Sequence, residues 1–414
     1  MKKTGILKNR NYRYLWLGQA SSVMGDWFNQ VSLAQTVLFL SNSALSVGIL
    51  LMCRALPAVI LGPFVGPYVD RLPKKKTMVM TDLLRGVTVA TFIFAFLFEQ
   101  IWLLYVGSVV IGLLSMFFNP SRQATIPMIV SREKLAEANA FSSATNSFVT
   151  ILGSILGGIL SAIAGPLICF TLNACSYFWS ALCIFQMKWS ENKSTVTSVP
   201  YGVALKEGFR EATQNPVIRA VIWIGISWGF AGGGYQILIP LLGSNVYDMQ
   251  GFGIGALYAV DGLGVLTGAY LVKQFIKDQH RRAVIWYGAS YLIQALFFVL
   301  LTQTETLFWG VLMLYFMRIS SGVIIPLDSY MLQTHTQEEV RGRVFSLHLA
   351  TYGGFMQLSY ILSGLAYEQW GIPYVGWGIG IVSFVCGTSW LIQYRQGKLT
   401  SSPSAVPMEN RLYK

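Results

Sequence analysis

The sequence predicts an all-α integral membrane protein, with twelve transmembrane helices in two pseudo-symmetric six-helix bundles. Three observations predict it. Of 414 residues, 54% are hydrophobic and only 12% are charged, about half the charged share of a soluble domain. The apolar residues form continuous runs long enough to cross about 30 Å of hydrocarbon, not the alternating segments of roughly ten residues that build a barrel. The basic residues keep to alternate loops, and the second half of the chain repeats the first.

The runs can be taken in order. The first half places spans near 14–40, 45–70, 77–98, 101–129, 135–163 and 166–187. The polar stretch 188–215 reads as a linker between bundles, carrying an amphipathic helix. The second half places spans near 217–242, 252–276, 283–302, 305–334, 342–367 and 372–394. The expected organisation is therefore an N-terminal bundle over 1–187, the linker, a C-terminal bundle over 216–395 and a disordered tail over 396–414. No cleavable leader is expected, because "MKKTGILKNRNYRYLW" has no small-residue cleavage site and the apolar run after it can span.

Of the 30 Lys and Arg, all but Arg54, Arg85 and Arg318 lie before the first span, in or beside the loops that follow the even-numbered spans, or in the tail. The loops on the other side contain neither residue and offer Glu99, Asp248, Glu305 and Glu368. Basic loops stay in the cytoplasm, which predicts that both termini are cytoplasmic in a bacterial-type cell membrane. The net charge of +12 is then a topology signal and gives no reason to expect a nucleic-acid partner.

The duplication is read from two pairs of segments. "SVGILLMCRALP" (46–57) aligns with "GIGALYAVDGLG" (253–264), placing Gly48 on Gly255 and Arg54 on Asp261. "NPSRQATIPMIVSREKL" (119–135) aligns with "IPLDSYMLQTHTQEEVR" (325–341), placing Pro120 on Pro326 and Arg122 on Asp328. A near-constant offset of 207 and then 206 residues implies two copies of a six-helix unit. Parallel repeats of this kind build secondary transporters with the substrate site near the midplane, between the halves.

The junction of the second and third spans, "GPYVDRLPKK" (66–75), resembles the loop signature of the major facilitator superfamily, with Pro73 where that family usually has glycine. The segments "NRNYRYLWLGQASSVMGDW" (9–27), "LKEGFREATQNPVIR" (205–219) and "VRGRVFS" (340–346) resemble its drug:proton antiporter branch of macrolide exporters and a siderophore exporter. The fifth span, "TILGSILGGIL" (150–160), is similar to the antiporter signature of that branch. It keeps the packing glycines Gly153, Gly157 and Gly158 but has Ser154 for the proline and Val149 for the preceding glycine. The resemblance implies a cytoplasmic gate at the opening motif. Gly62 and Gly66 share one helix face and admit a close neighbour. Asp70 and Arg71 then stand at the helix end, where Asp70 can meet a helix N-terminus or an arginine, Arg122 being one candidate. Lys74 to Lys76 need do no more than orient the chain. Asp82 and Arg85, three apart, suit either a local pair or the gate. In the second half Asp328, Arg341 and Arg343 occupy the matching region. Asp328 is expected to pair with a basic residue there or with Lys277, Arg281 or Arg282.

Four charges fall near mid-membrane: Asp26, Arg54, Asp261 and Arg318. On the lipid side each would cost at least about 2.5–3.5 kcal/mol, so each should face a cavity or a partner. Asp26 is the first candidate for proton coupling and Asp261 the second, since a carboxylate in a partly dry cavity can take and release a proton as access alternates. Static pairs Asp26–Arg54 or Asp261–Arg318 are the structural alternative. Trp27, Phe28 and Tyr235 are the aromatic candidates for an apolar substrate, with packing or lipid contact as the other reading. "GFAGGGYQ" (229–236) suits either a bendable helix or close packing.

Other chemistries find little support. The five cysteines form no CxxC pair, no metal cluster or phosphate-binding loop is present, and "GISWG" (225–229) lies inside an apolar helix rather than on a nucleophile elbow. No cofactor is expected and no enzyme. With no ATP site, the energy source is an ion gradient, with protons as the coupling ion. The expected function is efflux of lipophilic or amphipathic small molecules by a monomer in the bilayer. Transport of a defined polar metabolite or siderophore is the second reading, and a non-transporting membrane receptor the third.

Overall fold

The computed structural model describes residues 5–189, 206, 209–211, 213–276, 279–336 and 338–399, without the side chains of residues 63, 64, 66, 67, 70, 71, 338 and 339. Most of the expected linker, Lys277, the residues of the tail beyond 399 and the side chains of Gly66, Asp70 and Arg71 thus lie outside the described residues.

The chain is all-helical across twelve helices. The first four are α1 (Arg10–Ser41), α2 (Ala44–Arg71), α3 (Lys74–Leu97) and α4 (Ile101–Ile129). The stretch Leu135–Phe185 is broken at Gly165 (φ 77°) into α5 (135–164) and α6 (166–185). Only glycine takes that backbone conformation without strain, and Pro166 then starts the next helix. The second half contains α7 (Pro216–Leu241), α8 (Gln250–Leu271), α9 (His280–Thr302), α10 (Leu307–His335), α11 (Glu338–Trp370) and α12 (Ile372–Arg395). Local chemistry sets the ends. Asn9, Ser43 and Asn215 cap α1, α2 and α7 with their side chains, each satisfying a backbone N–H that the helix leaves unpaired.

Nine segments among the described residues are long and apolar enough to cross a membrane, and one of them, Arg132–Phe185, holds both α5 and α6. The helices left out are α1 and α11. In α1 the reason is a seam of small and polar residues, Gly18, Ser22, Gly25, Asn29, Ser32 and Thr36, all buried at alternating spacings of four and three. This seam lies against other helices, with Gly18 against Ser180, Gly25 against Asn173 and Ser176, and Ser32 hydrogen-bonded to Ser161 at 3.1 Å. Small residues let backbones approach where the hydrophobic effect gives no drive for association.

The two halves repeat their packing. α1 lies on α5, α2 on α4 and α3 on α4; in the second half α7 lies on α11, α8 on α10 and α9 on α10. "GFAGGGYQ" is helical throughout. Gly229, Gly233 and Gly234 pack on Tyr352, Ser359 and Ile379, and Gly232 has only loose neighbours.

The halves meet along two seams, α2 on α11 and α5 on α8. At Gly158 a Cβ would lie 2.8 Å from the Cα of Gly255, and at Gly364 a Cβ would lie 2.8 Å from the Cα of Leu45. These contacts sit toward the face without basic loops. Nearer the basic face they thin out: Val59 is 3.7 Å from the Cβ position of Gly353, while Gly62 and Gly354 have no neighbour within 4 Å. The buried core follows the same division. One cluster, including Val47, Leu50, Ile237, Leu238 and Tyr360, joins both halves at the non-basic face. Toward the basic face there are two clusters, one around Tyr12, Met78 and Phe118 from the first half and one around Val217, Tyr287 and Trp390 from the second. Among the described residues the molecule is sealed at one face and divided at the other.

Candidate functional site

Between the halves, on the divided side, lies a cavity of about 540 Å³. α1 supplies Gln30, α2 supplies Arg54 and Gly62, and α4 supplies Ser115, Asn119 and Pro120; the second half adds Gln236 from α7 and Tyr360 from α11. A ligand here would touch both bundles. Arg54 donates to the Gln30 side-chain oxygen at 2.5 Å, and no carboxylate pairs with it among the described residues.

Asp26 does not meet Arg54. It accepts a hydrogen bond from the Tyr177 hydroxyl at 2.5 Å, tying α1 to α6. The guanidinium of Arg85 lies 5.6 Å from the Tyr177 ring and 4.6 Å from the Phe118 ring. Arg85 also bonds Asp82 at 3.3 Å, and Ser180 donates to the other Asp82 oxygen at 2.6 Å. Asp82 and Arg85 are both buried and form a local pair inside the first bundle. The result is two polar groups, Asp26–Tyr177 and Arg85–Asp82–Ser180, that meet where the Arg85 guanidinium faces the Tyr177 ring.

The second half is wired differently. Asp261 of α8 pairs directly with Arg318 of α10, and the guanidinium lies 4.9 Å over the Tyr235 ring. Arg318 and Tyr235 line a smaller cavity of about 130 Å³ with Gln294, Tyr352 and Met356. Asp328 departs from expectation. It was expected to meet Arg341, Arg343, Lys277, Arg281 or Arg282, but it accepts from Tyr287 at 2.7 Å and contacts His348 Nε2 at 2.9 Å. The cause is burial: Asp328 faces α9 and α11 inside the bundle, whereas Arg281 and Arg282 are exposed at its end. Arg281 instead donates to the Tyr394 hydroxyl, and Arg282 to the Phe275 carbonyl.

The other predicted residues fall as follows. Arg122 lines a third cavity, about 370 Å³, between α1, α4 and α5, with Tyr12, Gln19, Ser142 and Asn146. Gly153 and Gly157 pack against Trp27 and Phe28 of α1, and Gly158 against Gly255 of α8. The Trp27 ring stands edge-on to Tyr258 at 5.5 Å, and its Nε1 donates to Thr150. Gly62 is open, and Arg341 and Arg343 sit partly buried near the start of α11.

Sequence reasoning missed Gln30, Tyr177, Tyr287 and His348. Gln30 left a signal, since it lies four residues after Asp26 on the same helix face. His348 left one too, as an imidazole within an apolar run. The tyrosines left none, because a tyrosine in a membrane helix is ordinary.

Residues 15–359 match the model of the Major Facilitator Superfamily. Among similar proteins is a proposed bacilysin exporter of Bacillus subtilis (strain 168), 26% identical over 83% of this chain and 85% of its own length. Macrolide efflux protein A of Streptococcus pyogenes is 20% identical over 85% and 88%. The staphyloferrin A transporter of Staphylococcus aureus (strain NCTC 8325 / PS 47) is 21% identical over 64% and 67%. Among solved structures, a mutant of a nucleoside transporter superposes with a TM-score of 0.74 at 12% identity, covering 93% of this chain and 100% of that one. A bacterial homologue of the iron transporter ferroportin gives 0.70 at 16%, covering 94% and 99%. Twelve helices in two repeated bundles, a cavity at their junction and a family match over most of the chain agree: this multi-pass membrane protein belongs to the major facilitator superfamily of secondary transporters.

Proposed function

We propose that the protein exports lipophilic or amphipathic small molecules across a bacterial cell membrane, in exchange for protons, by rocking its two bundles about the central cavity. In this reading the basic face is cytoplasmic, as the loop charges favour, and the cavity opens to the cytoplasm. One observation carries the proposal: among the described residues the halves share a core at one face only, with a cavity lined by both halves on the other side. Such a molecule has two complementary closures available, and a ligand shifts it between them only by binding the two states unequally. Export is favoured by relatives named for efflux of a macrolide and export of bacilysin.

The residues take roles in that cycle. Asp26 is the proton carrier, and its bond to Tyr177 passes its protonation state to the Arg85–Asp82 pair of α3. Asp261–Arg318 fixes α8 to α10, so that the C-terminal bundle moves as a body. Asp70 and Arg71, with Gly62 and Gly66, latch α2 to the start of α11 when the cytoplasmic side closes, and Asp328, Arg341 and Arg343 serve the matching corner. Tyr360 gives the central cavity its aromatic surface, Tyr235 lines the smaller cavity beside Arg318, and Trp27 and Phe28 pack α1 on α5, where they can meet substrate only as the bundles move.

The test is flux in proteoliposomes under an imposed proton gradient, with macrolides, lipophilic dyes and siderophores supplied on the side that the basic loops face. Saturable transport that collapses with a protonophore is the expected outcome. Folded protein that moves no member of the panel contradicts the reading.

A further inference from the structure

Arg54 differs from the other intramembrane charges in what surrounds it. Asp261 is neutralised by Arg318, Asp82 by Arg85, and Asp328 holds His348 and Tyr287. Asp26 is turned toward Tyr177. Arg54 lines the largest of these cavities with a neutral amide as its hydrogen-bond partner. The duplication sharpens the contrast. At the two aligned positions the first half has arginine (Arg54, Arg122) where the second has aspartate (Asp261, Asp328). Both aspartates have acquired a nitrogen partner of their own, while neither arginine has a carboxylate among the described residues. Two opposite charges at matched sites could have cancelled across the cavity, but the structure spends the aspartates elsewhere and leaves the first-half wall cationic.

The two arginines also stand on the walls of two cavities that flank α4. Ser115, Asn119 and Arg122 stand at i, i+4 and i+7 on α4, one stripe of a helix. Ser115 and Asn119 line the Arg54 cavity, and Arg122 lines the neighbouring one nearer the basic face. An uncompensated guanidinium this deep is costly, and a ligand that compensates it recovers part of that cost on binding. The planar fork of arginine matches a carboxylate in a bidentate fashion. The remaining partners, Gln30, Ser115, Asn119, Gln236 and Tyr360, are neutral, so one negative charge balances the cavity and a doubly charged phosphate would exceed it.

We propose that Arg54 is the anion-binding subsite of the central cavity, and that the transported class is amphipathic molecules bearing a single carboxylate. The inference rests on the exporter reading above and names its substrate class.

The test uses three probes with a common aromatic body: dansylglycine (an acid), dansylglycinamide (neutral) and dansylcadaverine (a cation). Binding to the full-length protein in lipid nanodiscs is followed by dansyl emission, and flux is measured in proteoliposomes. The acid is expected to bind about tenfold more tightly than the amide, the scale of one charge-assisted hydrogen-bonded contact. Arg54→Gln is expected to bring acid and amide within about threefold of each other, and Arg54→Lys to retain a reduced preference. Equal binding of acid and amide by the unmodified protein overturns the proposal without recourse to any variant, and so does a tenfold preference that survives Arg54→Gln. Proton-driven flux of all three probes with no advantage to the acid overturns the subsite and leaves the exporter standing. Folded protein that moves none of them overturns both.

Discussion

Asp261 and Arg318 illustrate how a charge survives in hydrocarbon. Each is largely buried, and each has the other within contact. Removing one partner leaves an uncompensated buried charge, at about 3–5 kcal/mol. Asp261→Asn alone is therefore expected to lower the thermal unfolding midpoint of the detergent-purified protein. Asp261→Asn with Arg318→Gln should recover much of that loss, because no lone charge remains. Equal loss in the single and double variants would show that the pair is not what the site depends on. Asp26 makes a different demand. Asp26→Asn is expected to abolish transport while the protein still reaches the membrane, and Tyr177→Phe, which removes the hydroxyl donated to Asp26, to slow it roughly tenfold. Full flux in Asp26→Asn would remove that carboxylate from the cycle. At this scale sequence reading is only partly effective. Depth along a helix is legible, and it places Asp26, Arg54, Asp261 and Arg318 inside the membrane. Rotation about the helix axis decides whether Asp26 faces Arg54 or Tyr177, and that depends on which neighbour packs where. Of the two static pairs that the sequence allows beside a coupling role, Asp261–Arg318 forms and Asp26–Arg54 does not.

Helices carry their own constraints in composition. The alternating four-and-three seam of α1 explains why a central helix is too polar to pass as a membrane span by apolarity alone. Its polar side chains are buried against neighbouring helices rather than exposed to lipid, and Ser32 bonds Ser161 across the contact. The seam of α5 on α8 is closer still. Gly158 and Gly255 meet backbone to backbone, and a side chain on either would have nowhere to go. Gly158→Val is expected to force these helices apart at the sealed face. In a cysteine-free background, Ser161→Cys, which places a thiol at a buried position beside this contact, should then react with a membrane-impermeant maleimide applied from the side opposite the basic loops, and should stay protected when Gly158 is kept. Unchanged protection in Gly158→Val would mean that the seal tolerates a side chain there and does not depend on this contact. The glycine spacing of the fifth span is visible in the sequence, as is the turn at Gly165–Pro166. Which helix Gly158 touches is not, because a packing glycine does not identify its neighbour.

Across the whole molecule, function follows from an asymmetry between two faces. The common core at one face and the divided cores at the other mean that closing the basic side must open or strain the opposite seal, since packed interfaces switch between arrangements rather than deform smoothly. The twelve spans, the duplication and the charge bias between loops are legible in composition and spacing, because the bilayer imposes length and the repeat imposes symmetry. The state of the cavity is not, since both closures use the same sequence. The most direct measurement is a pair of distance distributions by double electron–electron resonance in lipid nanodiscs. One spin-label pair replaces Lys76 and Arg281 at the exposed starts of α3 and α9, and the other replaces Glu99 and Glu305 at the exposed turns beyond their far ends. Alternating access requires two populations in each pair that shift in opposite senses when a bound probe or a change of pH is applied, one distance shortening as the other lengthens. A single unchanging distance at both faces, or two distances that lengthen and shorten together, would contradict the account.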